Sequence, residues 1–278
     1  MSFVEVTQPR PHITLVTLNR PERMNAMAFD VMIPFKETLE EISYDNQTRV
    51  VVVTGAGRGF CSGADLTDSG TIPNLDGLTV PTISLRAMEL LDDVIMTIRK
   101  MHQPVIAAVN GAAIGGGFCL ALAFDIRVAS EEAYFRAAGI NNGLSSTELG
   151  LSYLLPRAIG SSRAFEIMLT GRDVDGAEAE RIGLVSKTVA PDALLETCFD
   201  MADVMIGWSR VGVEMAKRVL WASLDASSLS AHMQHEGVAQ LYVRNLTGNF
   251  EEMIRARKEG RTPVYLDDTR QKVAPKKE

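Results

Sequence analysis

The sequence predicts an α/β fold, one core in which strands and helices alternate, followed by a section built of helices alone. Three observations carry that expectation. β-type runs and helical spacings alternate from residue 12 to residue 169. Glycine-rich turns join apolar runs to helices at 50–66 and again at 104–122. From residue 192 onward the spacing is helical with no strand between. The organisation read from this is a core over 1–200, a helical region over 201–265 and a tail over 266–278.

The elements follow in order. His12 to Leu18, rich in Ile, Val and Thr, reads as a strand. Phe29 to Ile42 carries Phe35, Leu39 and Ile42 at helical spacing, with Pro34 expected to kink the helix or mark an early turn. Arg49 to Gly55 is a strand buried on both faces, since it holds a run of valines with no polar alternation. Residues 67–84 contain Gly/Pro turn signals and no period, and read as a loop before a helix over Leu85 to Met101. Pro104 opens a second buried strand, Val105 to Asn110, followed by a short buried helix, Gly117 to Phe124. Ile126 to Ala129 and Ala133 to Phe135 are short strands, and Arg157 to Leu169 is a helix. Asp192–Ile206, Val211–Trp221, Ser230–Asn245 and Asn249–Glu259 form the helical run. The last nine residues, RQKVAPKKE, read as a solvated tail.

Composition narrows the function classes. The 278 residues are 46% hydrophobic and 23% charged, which supplies a sizeable core and excludes disordered or low-complexity classes. Asp plus Glu number 35 against 28 Lys plus Arg, a net charge of −7 that argues against a nucleic-acid surface but leaves room for a local cationic patch. Three cysteines (Cys61, Cys119, Cys198) with no CxxC pair make neither a disulfide framework nor a zinc site, and point to a reducing cytoplasm. The N-terminal MSFVEVTQPRPH has no apolar stretch of the kind a secretion signal needs. Val105 to Phe124 is free of charge but interrupted by Asn110 and four glycines, so it reads as strand, loop and helix and not as a membrane span.

The two glycine-rich units carry the chemistry. Each runs apolar strand, tight turn, helix, and each would expose backbone N–H groups where the chain turns. Two such groups converging on one point would stabilise a developing oxyanion. A dinucleotide site is the first alternative, but Gly55-x-Gly57 is followed by Phe60 where the fingerprint wants glycine, and no tyrosine is followed four places on by lysine. A serine hydrolase is the second, but there is no G-x-S-x-G elbow. His12 and His102 stand apart from both loops in sequence, and His232 and His235 are spaced as metal ligands or as a solvated helix face, with no further ligand cluster.

At these loops the chain resembles the enoyl-CoA hydratase/isomerase (crotonase) family, over nearly its whole length up to about residue 265. The matching segments are NRPERMNAM (19–27), GFCSGADL (59–66), PVIAAVNGAAIGGG (104–117), FDIRVA (124–129), LTGR (169–172) with Ala177, Ala179, Gly183, Leu184 and Val185, and the stretch Glu251 to Tyr265. The resemblance implies a ββα spiral core with a C-terminal helical trimerisation region, as a homotrimer or a dimer of trimers. It implies an acyl-CoA thioester as substrate, with no metal or redox cofactor. It implies an enolate oxyanion held by the N–H groups of Ala64 and Gly116. Small residues at Ser62, Gly63, Ala64, Gly115 and Gly116 fit the close approach such a hole needs. By the same resemblance Arg23, Ala26, Ser62, Gly63, Ala64, Asp65, Leu66, Gly115 and Gly116 line the substrate path. Asp65 doubles as a structural acceptor of local backbone hydrogen bonds. Arg257 and Lys258 are further candidate cations, or a solvated helix face.

The pattern departs from the family at both positions where a hydratase carries glutamate: Cys119 stands at one and Gly139 at the other. Neither can handle the protons of hydration as a carboxylate does. A cysteine nucleophile at 119 lacks any visible basic partner. Glu148 is the remaining candidate base, in a stretch where dienoyl-CoA isomerases of the family place an acidic residue. Its local alternative is a capping box, Ser145-x-x-Glu148, at the start of the next helix. The expected activity is isomerisation or a variant hydration. The alternative is a non-catalytic acyl-CoA-binding protein, or a structural partner in a multi-enzyme complex, on the same fold.

Overall fold

The computed structural model describes residues 2–267, so the predicted tail over 266–278 lies outside the described residues from 268 onward. The chain falls into two compact units, the first ending at Asp200 and the second beginning at Met201. In chain order the first holds β1 (Val4–Arg10), β2 (Ile13–Leu18), α1 (Phe29–Tyr44), β3 (Val50–Gly55), β4 (Gly59–Cys61), α2 (Val80–Lys100), β5 (Val105–Val109), β6 (Ala112–Ile114) and α3 (Gly116–Ala123). It continues with β7 (Ile126–Ser130), β8 (Tyr134–Arg136), α4 (Leu151–Ile159), α5 (Ser161–Thr170), β9 (Asp173–Asp175), α6 (Gly176–Arg181) and β10 (Lys187–Val189). Helix α7 (Leu194–Ile206) straddles the boundary, and α8 (Arg210–Asp225), α9 (Leu229–Leu246) and α10 (Asn249–Glu259) belong to the second unit.

The strands sort into two sheets, β1-β2-β3-β5-β7-β10 and β4-β6-β8-β9. Three successive turns of chain therefore repeat one pattern. A strand in the large sheet (β3, β5, β7) is followed by a strand in the small sheet (β4, β6, β8) and then by a helix (α2, α3, α4). This is the ββα spiral. β3 and β5 are wholly buried and pair in parallel, Val52 beside Ile106 and Val53 beside Ala107. Burial on both faces is why these strands read as unbroken apolar runs. All eight residues of α3 are buried as well, as its charge-free sequence requires.

The structure departs from the sequence reading at several places, the short strands β4, β6, β9 and β10 and helix α6 among them. Strand β1 was not expected: it is an edge strand whose residues after Val4 face solvent, so no apolar run announces it. Helix α2 begins at Val80, inside the stretch read as loop, because Pro81 lies in the first turn, where a missing N–H costs nothing. Helix α1 runs through Pro34 without a break. The single helix expected over 157–169 is two: α4 starts at Leu151, and Gly160, at φ 84°, ends it and starts α5. Such a dihedral belongs to glycine.

In the second unit, α8 packs on α9, and the segment after α10 is pinned by Asp267. Its carboxylate accepts from Ser209 Oγ, the Arg210 N–H and Asn249 Nδ2 at 2.5–2.8 Å. A cavity of about 530 Å³ in this unit is lined by Trp208, Leu241, Phe250 and Tyr265 among others, with no carboxylate in its wall. Among the described residues no helix is long and apolar enough to cross a membrane.

Candidate active site

The first loop is built around Asn25. Met24 and Asn25 sit at φ 50° and 54°, the left-handed region that asparagine tolerates better than most residues. Fully buried, Asn25 accepts from the Arg20 N–H at 2.9 Å and donates to the carbonyls of Ala56 (3.0 Å) and Gly59 (2.8 Å). That ties the 19–27 segment to the turn between β3 and β4. Met27 then pairs with Ala64 in an isolated parallel bridge, in which the Met27 N–H donates to Gly63 O at 2.7 Å and the Asp65 N–H reaches Met27 O at 3.5 Å. In parallel pairing the intervening residue turns its own N–H to the other side. Ala64, exposed between buried Gly63 and Asp65, donates that N–H to nothing among the described residues.

Asp65 closes its own turn. The carboxylate accepts from the N–H groups of Thr67 (3.0 Å) and Asp68 (2.9 Å), the Thr67 hydroxyl (2.9 Å) and Arg20 Nη1 (2.9 Å). The Thr67 and Asp68 amides, then Thr67 Oγ1 and Arg20, hold it well below the usual carboxylate range. Its side chain is therefore engaged within the loop. Arg23 is exposed and donates to Thr67 Oγ1 at 2.5 Å, with Leu66 also exposed nearby in sequence. Ala26 is buried and Ser62 half-buried, its hydroxyl on Arg23 O at 3.3 Å.

The second loop meets the first at van der Waals range. Gly115 adopts φ 52°, ψ −119°, a conformation for glycine alone, and its N–H donates to Arg136 O at 2.8 Å. A Cβ placed on Gly63, itself at φ 83°, would lie 2.5 Å from Ile114 O and 3.2 Å from Gly116 N. One on Gly117 would run into the Cys61 carbonyl. The glycines thus let β4 and the start of α3 touch. Gly116 is the first residue of α3, and its N–H has no acceptor among the described residues. The α3 dipole adds positive potential at this point.

Glu148 stands beside this loop. The predicted capping box is absent: Ser145 Oγ bonds Thr147 Oγ1 at 2.9 Å, and α4 starts only at Leu151, preceded by Gly150 at φ 81°. Two left-handed residues in a row, Leu149 and Gly150, delay the helix, so Glu148 never reaches a third helical position. Its Oε1 lies 3.5 Å from where a Cβ on Gly115 would sit. The carboxylate is half-buried and makes no hydrogen bond among the described residues. Burial raises its pKa above the ordinary value.

The two positions where the resemblance places hydratase glutamates are closely packed. Cys119 is fully buried, its Sγ 3.2 Å from Gly115 O and 3.4 Å from Glu148 O. Burial first, and the neighbouring Glu148 second, push its thiol far up, so it is a hydrogen-bond donor and no nucleophile. At Gly139 a Cβ would collide with the Ser145 carbonyl; the 139–147 loop occupies the space a second carboxylate would need.

Sequence reasoning missed Met27 and Leu149, which flank Gly116. A Cβ there would lie 2.5 Å from Met27 Sδ and 3.4 Å from Leu149 Cδ1. Met27 lies inside a recognisable motif, whereas nothing in the sequence marks Leu149. Arg20 and Asn25 were quoted in the motif without a role. Of the remaining candidates, His12 and His102 bond backbone carbonyls of Gln47 and Ser43, and His232 pairs with Glu236 at 3.4 Å. Arg257 and Lys258 are exposed on α10.

Residues 10–267 match the family model described as enoyl-CoA hydratase/isomerase. A protein of Mycobacterium tuberculosis named "Probable enoyl-CoA hydratase EchA12" is 67% identical over 269 residues, 97% of this chain and 94% of that protein. The crystal structure of a probable enoyl-CoA hydratase/isomerase from Mycobacterium abscessus is 66% identical, with a TM-score of 0.93 over 96% of this chain and 100% of that one. A structure described as a monofunctional enoyl CoA isomerase from M. smegmatis is 62% identical, with a TM-score of 0.73 over 84% of this chain and 99% of that one.

Proposed function

Because this chain belongs to the enoyl-CoA hydratase/isomerase family, an enzyme family acting on acyl-CoA thioesters, we propose that its reaction is the shift of a 3-enoyl-CoA double bond to the 2-position. Ala64 and Gly116 supply the oxyanion donors and Glu148 the single acid–base group. The observation that carries the reading is Glu148 itself, a half-buried carboxylate beside Gly115, while Cys119 and Gly139 stand where the resemblance places the two glutamates of a hydratase.

The thioester carbonyl accepts from the Ala64 and Gly116 N–H groups. Glu148 removes a proton from C2; the C2–H electron pair flows toward the carbonyl and gives a dienolate. The two amides stabilise its oxygen more than they stabilise the ground-state carbonyl, which lowers the barrier. The same carboxyl, now protonated, delivers its proton to C4, and the double bond settles between C2 and C3. One group takes and returns one proton, so no water is consumed and no electron leaves the substrate. A carboxylate of raised pKa is the stronger base for this step.

Arg23 and Leu66, exposed beside the first loop, fit the coenzyme A side, with Ala26, Ser62, Gly63 and Asp65 shaping the backbone path. The reading assigns no metal or redox cofactor, and it places the enzyme in the cytoplasm. The helical region over 201–265 is read as the trimerisation region, as a trimer or a dimer of trimers. The exposed Leu220, Leu229, Val238 and Leu241 support it as surface that a subunit contact would cover. Nothing favours the non-catalytic alternative.

The test is to follow 3-hexenoyl-CoA isomerisation and crotonyl-CoA hydration with wild type and Glu148→Gln. Wild type should isomerise at least about 100-fold faster than it hydrates, and Glu148→Gln should lose about 10²–10⁴ of the isomerisation rate. Equal isomerisation by both proteins, or hydration as fast as isomerisation, overturns the reading.

A further inference from the structure

The carboxylate of Glu148 is presented by an unfavourable stretch of backbone. Leu149 follows it at φ 44° and Gly150 at φ 81°. Glycine adopts such angles freely, but leucine there brings its Cβ against the backbone. Strain of this kind survives only where the surroundings over-determine it, and it concentrates at working sites. Leu149 is buried, and its Cδ1 packs 3.4 Å from the Cβ position of Gly116, the second oxyanion donor. The strained residue thus contacts one half of the machinery while its neighbour carries the other.

Cys119 provides a second contact. Its thiol lies between two carbonyls, 3.2 Å from Gly115 O and 3.4 Å from Glu148 O. The Glu148 carbonyl also accepts the Leu151 N–H at 2.8 Å. The single S–H of Cys119, shared between these two carbonyls, therefore links the loop that carries the oxyanion donor to the turn that carries the base. These two segments are otherwise far apart along the chain.

We infer that Leu149 and Cys119 are positioning residues, which together fix the Glu148 carboxylate against Gly115 and Gly116. This rests on the role of Glu148 given above. Without the two anchors the 148–150 turn would relax and the carboxylate would swing toward water. A displacement of about 1 Å in such a site lowers rate about 100-fold.

The experiment measures kcat and KM for 3-hexenoyl-CoA across pH 4–9, with urea unfolding, for Leu149→Gly, Cys119→Ala, Cys119→Ser and Glu148→Gln. Leu149→Gly removes strain and side chain together. It should lower kcat about 10–100-fold with KM little changed, and should move the acid limb of the kcat profile down as Glu148 regains water. Cys119→Ala should act in the same direction, whereas Cys119→Ser, whose hydroxyl still donates, should keep near wild-type kcat. A purely structural role would lower stability and leave the acid limb in place. The inference is overturned if Cys119→Ala and Leu149→Gly keep wild-type kcat and acid limb, or if Cys119→Ser is as impaired as Cys119→Ala. The Cys119 pair decides the matter even where Leu149→Gly does not fold. Wild-type turnover in Glu148→Gln removes the functional reading itself, whereas an inactive Glu148→Gln beside unaffected positioning variants removes only this inference.

Discussion

Replacing Gly63 by alanine tests whether the two oxyanion loops make one site. Gly63 sits at φ 83°, and the added Cβ would stand 2.5 Å from Ile114 O and 3.2 Å from Gly116 N. Two costs follow. A left-handed alanine costs roughly 1–2 kcal/mol. Opening a backbone contact by several tenths of an ångström adds about 1–3 kcal/mol, the usual range for overpacking. The sum, about 2–5 kcal/mol from these two terms, is a large share of a typical domain stability of about 5–15 kcal/mol but leaves the fold standing. Gly183→Ala is the matched control. Its φ is 79°, yet nothing lies within 4 Å of its Cβ, so it carries the conformational cost alone. Urea unfolding of both variants should therefore differ by about 1–3 kcal/mol. The catalytic effect is larger, since the atoms that yield are those beside Gly116 N. Loss of one aligned oxyanion donor lowers kcat about 10²–10³-fold, whereas Gly183→Ala should leave turnover unchanged. The reasoning fails if Gly63→Ala destabilises no more than Gly183→Ala and keeps kcat within about twofold.

Four further outcomes follow from the same geometry. The acid limb of the kcat/KM profile should lie above the ordinary carboxylate range, because burial raises the Glu148 pKa; an acid limb at the ordinary value contradicts it. The stability sign is the reverse of the usual salt-bridged carboxylate. Ionising Glu148 costs the folded state as pH rises through the interval from its ordinary to its raised pKa, so Glu148→Gln should raise Tm at pH 7 and lose that advantage below the ordinary value. Asp65→Ala should lower Tm, since it strips the acceptor from the Thr67 and Asp68 amides and from buried Arg20; because its pKa is depressed, the wild-type advantage fades only as pH falls below the ordinary carboxylate range. Gly139→Ala should destabilise by about 1–3 kcal/mol through its contact with the Ser145 carbonyl, measured by urea unfolding; a neutral result would mean the 139–147 loop leaves room for a side chain.

Much of the core was legible because its signals are local. The valines of β3, the apolar run of β5 and the glycines of both turns mark buried parallel strands ending in close backbone approaches, whatever lies around them. Errors came where the signal was weak or double. The edge strand β1 buries too little to show an apolar pattern, Pro81 looks like a loop residue although a first helical turn accepts it, and Gly160 divides a continuous helical spacing. The departures at Cys119 and Gly139 and the survival of Glu148 were also visible in the sequence.

Where Glu148 sits was decided by the tertiary structure. In sequence, Ser145-x-x-Glu148 is as good a helix cap as it is a catalytic segment. The left-handed pair Leu149–Gly150 delays α4 and frees the carboxylate, while Gly115 lies beside that carboxylate and Cys119 bonds the Glu148 carbonyl from a segment 29 residues away. The sequence by itself determined which groups are available: two glycine loops, one carboxylate and no pair of hydratase glutamates. Only the fold determined which of them meet, because hydrogen-bond vacancy, desolvation and close approach are properties of neighbours in space and not along the chain.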